Sequence, residues 1–158
     1  MKNRRKSRIL ALQLMYAWDL RDGEAVDAVF VPMLREYRDA DLIEGAEPLA
    51  EDEVDETVTY ARLLAATSAE NCAELDVLIQ QHAANWDVKR MAAIDRNLLR
   101  LAITELRLNN PDVPFRVVID ESVEIAKEYG TDESSRFVNG VIDAINKAEY
   151  ASSQKKTD

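Results

Sequence analysis

The stretch MAAIDRNLLRLAITELRLNN (residues 91–110) decides the fold class. Ile94, Leu98, Leu101, Ala102, Ile103 and Leu106 recur at helical spacing and cover much of the circumference. That pattern predicts a central helix, buried on most sides. Asn109, Asn110 and Pro111 stop it. Beyond them, Asp112 and Pro114 suit a new helix start, since proline is tolerated in a first turn. The helix that follows, Phe115 to Tyr129, offers Val118, Ile119, Val123 and Ile125 or Ala126 as its buried side, and Gly130 closes it. Asp132 can cap a last helix whose apolar members are Phe137, Val138, Val141, Ile142 and Ile145. Residues 151–158 form a polar tail expected to fray.

Toward the N-terminus the same spacing continues. Ser68 to His82 reads as a helix with Cys72, Leu75, Leu78 and Ile79 on its apolar side. Before it, Val54, Val58, Ala61, Leu63 and Leu64 make a buried stripe. Residues 36–56 hold ten acidic side chains and one basic one, with Gly45 and Pro48 among them. Residues 39–51 are therefore expected to be an acidic loop insertion. A helix from Ala25 to about Tyr37 precedes it, and another occupies residues 4 to 21. In that first helix Leu10, Ala11, Leu14, Met15 and Trp18 cluster on one face. Arg5, Ile9, Leu12 and Tyr16 take the other side, with Gln13 at their edge. Asp22 and Gly23 end it, because glycine readily adopts the left-handed conformation at a helix C-terminus. With no strand pattern and only four glycines and four prolines in 158 residues, the expected class is all-α.

Composition narrows the function. A lone cysteine, Cys72, can form neither an internal disulfide nor a thiolate metal cluster. No apolar run approaches the roughly 18–20 residues that span a bilayer. The basic start lacks the unbroken apolar stretch of a secretory signal, since Gln13 interrupts it and Trp18, Asp19 and Arg21 follow. A cytoplasmic protein without membrane partners is the expectation. There is no Gly-rich phosphate loop, no H-E-x-x-H and no paired CxxC, and His82 is the only histidine. These absences leave no candidate catalytic or metal-ligating residue, point to no cofactor, and weigh against an enzyme.

One feature stands against the overall charge of −10: five of the first eight residues, Lys2, Arg4, Arg5, Lys6 and Arg8, are basic. Arginine and lysine neutralise phosphates and release counterions, and arginine also stacks on bases. At helical spacing Arg4 and Arg8 share a side, Arg5 lies one residue further round, above Ile9, Leu12 and Tyr16, and Lys6 points away from them. A tyrosine on the non-core face beside arginines suits a single-stranded base. The acidic remainder repels phosphate elsewhere, which favours a short single strand over a long duplex. A basic tail that only aids solubility is the plainer alternative.

Four blocks in order carry a likeness: RRKSRILALQLMYAWDL (residues 4–20), IDRNLLRLAITEL (94–106), DVPFRVVIDESVEIAKEYG (112–130) and SSRFVNGVIDAI (134–145). Together they resemble the bacterial transcription antitermination family NusB. The resemblance implies an all-α fold of two small helical bundles packed as one domain over residues 1–150, without catalytic activity. It implies binding of the boxA element of nascent ribosomal RNA jointly with NusE, the small-subunit ribosomal protein. It also implies assembly on the RNA polymerase elongation complex through other Nus factors, in support of processive transcription of rRNA operons. Carried over by position, the RNA-binding residues are Arg4, Arg5, Lys6, Arg8, Gln13 and Tyr16, with Arg136 and Phe137 from the RFVNG block. Helical spacing alone assigns Phe137 to the core, and reads Gly140 as a site of close helix packing. The family occurs as monomers and as homodimers, so a homodimer is compatible with the sequence. Two other classes compete: an RNA methyltransferase, which would need a cofactor-binding α/β domain further along the chain, and a protein-interaction module whose basic start is idle.

Overall fold

The computed structural model describes residues 4–40, 51–83 and 85–150, and every regular element among them is helical. In chain order these are α1 (Arg4–Leu20), α2 (Val26–Ala40), α3 (Glu51–Glu70), α4 (Cys72–His82), a 3-10 turn (Val88–Arg90), α5 (Ala93–Leu108), α6 (Phe115–Tyr129), α7 (Ser134–Ile145) and a π-helical turn (Asn146–Tyr150). They divide into two compact units, one holding α1–α3 up to Ala69 and the other holding α4–α7 from Glu70.

In the first unit, Leu10, Ala11, Leu14 and Met15 of α1 are buried, with Val29, Phe30 and Leu34 of α2 and Val58, Ala61, Leu64 and Ala65 of α3. The α1–α2 turn closes as expected on Gly23, whose φ of +83° is costly for any other residue. Two contacts fasten α1 to α3: the buried Ser7 hydroxyl donates to Thr57 O at 3.0 Å, and the Arg4 guanidinium lies 4.4 Å from the centre of the Tyr60 ring. An exposed ion pair, Arg62 to Asp27 at 3.3 Å, links α3 to α2. Pro32 sits inside α2 without ending it. Its missing N–H removes a bond to the preceding turn, so α2 depends on the packing of Phe30 and Leu34 more than on its own ladder.

In the second unit α5 is enclosed as the spacing predicts, buried without interruption from Asn97 to Glu105. Helices α4, α6 and α7 pack on it. Asn109 ends α5 in the left-handed region at φ 49°, and α6 starts after Pro114. Gly130 closes α6 through close approach and not through a left-handed backbone: its φ is −98°, and a Cβ there would lie 2.6 Å from Ser134 Cβ and 2.8 Å from Ala126 O.

Several expectations need correction. Ser68–His82 is not one helix: α3 runs to Glu70 and Asn71 separates it from α4. Asp39 and Ala40 belong to α2 and Glu51 to α3, so the acidic segment loses both ends to helices; residues 41–50 lie outside the described residues, as do residues 151–158 and the side chain of Val54. Glu133, not Asp132, precedes α7, and the Ser134 hydroxyl accepts from Thr131 N at 2.9 Å. Gly140 is exposed, with nothing within 4 Å of where its Cβ would stand, so close packing does not explain it.

Asp95, in the first turn of α5, has one carboxylate oxygen buried without a hydrogen-bond partner. Burial pushes its carboxyl above the ordinary value of 3.8, and the Ser134 hydroxyl draws it part of the way back. A raised acid favours the folded state when protonated, so its ionisation weakens the fold as pH rises through the folded value. Asp95→Asn is therefore expected to raise the urea midpoint at pH 7, with the gain shrinking as pH falls toward 3.8. An equal gain at pH 7 and pH 4 would remove desolvation as the cause.

Candidate nucleic-acid interface

On the first unit the surface of interest is the outer side of α1. On a helix of about 100° per residue, Arg5, Tyr16, Ile9, Leu20, Gln13 and Lys6 follow one another within an arc of about 100°. Arg5, Lys6, Gln13, Tyr16 and Leu20 are exposed and Ile9 is half-buried. This arc corrects the expected grouping of the cations. Arg8 is only 7% exposed, and Leu12, placed on the outer side by the sequence, is buried at 2%. Arg4 is half-buried over Tyr60, and its Nη1 is enclosed without a hydrogen-bond partner. Lys6, expected to point away, shares the exposed face with Arg5. The surface thus combines two cations, a side-chain amide and a phenol ring, which supplies phosphate neutralisation, hydrogen bonding and a stacking face.

On the second unit Arg136 is exposed on α7 and Phe137 beside it is half-buried, so Phe137 is not the core residue that spacing alone predicts. Its ring meets Trp86, centroid to centroid at 5.5 Å with 62° between the planes, an edge-to-face pair. Sequence reasoning did not single out Trp86. The signal available was a tryptophan flanked by Asn85 and Asp87, between two helices and followed by Lys89 and Arg90. Among the described residues no group of three or more His, Cys, Asp or Glu could hold a metal ion, and no helix is long and apolar enough to cross a membrane.

The NusB family model matches residues 5–147. The chain belongs to the NusB family. Its relatives include the transcription antitermination protein NusB of Salinibacter ruber, 41% identical over 92% of this chain and 81% of that one. The NusB of Chloroherpeton thalassium is also 41% identical, over 90% of this chain, which spans 60% of that relative's length. Among solved structures, one of the antitermination factors NusB and NusE in complex with dsRNA superimposes with a TM-score of 0.72, at 29% identity, covering 92% of this chain and 96% of its NusB-like counterpart. The all-helical architecture is that of NusB, and the family is one of transcription antitermination factors, not of enzymes.

Proposed function

We propose that this chain binds the boxA element of nascent ribosomal RNA together with NusE, and joins the RNA polymerase elongation complex to keep transcription of rRNA operons processive. The exposed α1 face carrying Arg5, Lys6, Gln13 and Tyr16 is the observation that carries the reading, and a NusB structure solved with NusE and dsRNA supports binding of RNA beside NusE. Arg5 and Lys6 contact phosphate, Gln13 hydrogen-bonds, and Tyr16 stacks on an unpaired base. Arg136 and Phe137 bind RNA on the second unit. Arg4 and Arg8 hold α1 in place for its outer face, Arg4 through Tyr60. The surplus of acidic residues, 30 against 20 basic, complements a basic ribosomal protein.

Fluorescence anisotropy with labelled boxA RNA, a scrambled strand and a boxA duplex, each with and without NusE, tests this. Preference for single-stranded boxA, tightened by NusE, is the expected result. Arg5→Ala with Lys6→Ala should weaken binding and reduce the slope of log affinity against log salt by about 1.4, about 0.7 for each lost single-strand phosphate contact. An unchanged slope would remove α1 from the interface.

A further inference from the structure

We propose that Trp86, braced by Phe137, is a base-stacking residue for unpaired RNA on the second unit. This rests on the RNA-binding reading above and adds to it a contact outside the basic N-terminus. Trp86 is 55% exposed, unusual for the side chain with the largest apolar area to hide. Its exposure is built in. The Gln80 side-chain amide donates to Trp86 O and, at 3.5 Å, to Ala83 O, while its oxygen accepts from Val88 N at 3.0 Å. Arg96 Nη1 donates to Val88 O and Met91 O, both at 3.0 Å, and Asp87 Oδ1 accepts from Lys89 N at 3.0 Å. The backbone on both sides of the indole is thus anchored to α4 and α5. A ring held in this way meets a ligand without first being ordered.

The surrounding charge says which ligand. Lys89 and Arg90 follow in the 3-10 turn and Arg136 adjoins Phe137; all three are exposed, and none makes an ion pair among the described residues. Cations left unneutralised in a chain of net charge −10, beside an open aromatic face, fit a polyanion that also carries flat rings. Single-stranded nucleic acid has both.

Trp18 and Trp86 are the two tryptophans, so Trp18→Phe leaves Trp86 as the reporter. Titrating this variant with single-stranded boxA RNA should quench its emission along the same curve that anisotropy gives. Trp86→Ala, in the otherwise natural chain, should weaken binding roughly tenfold, within the range found for loss of one stacked base, with the melting temperature tracked alongside. Trp86→Tyr, which keeps a stacking ring, should recover most of the affinity. If anisotropy shows binding while Trp86 emission stays constant and Trp86→Ala binds like the parent, the inference fails and the wider RNA-binding reading survives. No binding of any RNA by the parent chain, with or without NusE, overturns both. Quenching as strong with a boxA duplex or with polyglutamate also overturns the inference, because neither offers an unpaired base.

Discussion

Asp76→Ala is expected to lower the folding stability by about 3 kcal/mol, the lower end of the cost of removing one partner of a buried ion pair. The Arg100 side chain is 5% exposed and Asp76 is 30% exposed, hence the lower end. Arg100 Nε and Nη2 donate to the two Asp76 oxygens at 2.7 and 2.8 Å, and Nη1 donates to Asn97 Oδ1 at 2.9 Å. Asn97 in turn donates to Ala93 O at 2.9 Å. Deleting the carboxylate strips two bonds from a guanidinium that α5 keeps out of water. Replacing both members, Asp76→Leu with Arg100→Met, removes the charge along with its partner and should recover most of the loss. Urea denaturation of the two variants decides: a single-variant cost below about 1 kcal/mol would class the pair with solvated surface bridges.

Phe30→Ala should cost about 3–5 kcal/mol, the usual range for truncating a buried phenylalanine. Phe30 is completely buried and is among the largest side chains so enclosed. The expected loss lies toward the upper part of that range because Pro32 leaves α2 short of a backbone bond. The helix then has less of its own ladder to fall back on when the ring is removed. Phe30→Leu, nearer in volume, should cost less than about 1.5 kcal/mol. Similar losses for both variants in urea unfolding would mean that ring volume is not what secures α2.

The helical spacing of α5 was legible because burial there extends all the way round, so any apolar residue supports the reading. The order of α6 and α7 was equally plain from Pro114 and Gly130. Arg8 was misplaced for a geometric reason. The buried arc of α1 reaches from Leu10 round to Leu12, about 200° at 100° per residue, wider than the stripe that the most apolar residues mark out. An arginine at its flank is covered, with its long stem lying along apolar surface. The break at Asn71 was hidden because residues on both sides keep helical spacing. Trp86 could not be placed at all: its exposure depends on Gln80 and Arg96 gripping a backbone whose path the sequence does not spell out. Phe137 sat between two readings, and half-burial against Trp86 satisfies part of each.

The ring pair also joins two residues that leave the ribosome well apart in time. Phe137 follows Trp86 by about fifty positions, which a ribosome adding about 5–20 residues per second covers in roughly 3–10 s. During that interval α5 and α6 are synthesised and α7 is still to come, so the indole has no partner ring. Helical units built mostly from neighbours in sequence fold within micro- to milliseconds, so synthesis, not folding, sets the delay. A nascent chain of this protein therefore acquires its N-terminal cations first and its aromatic pair last.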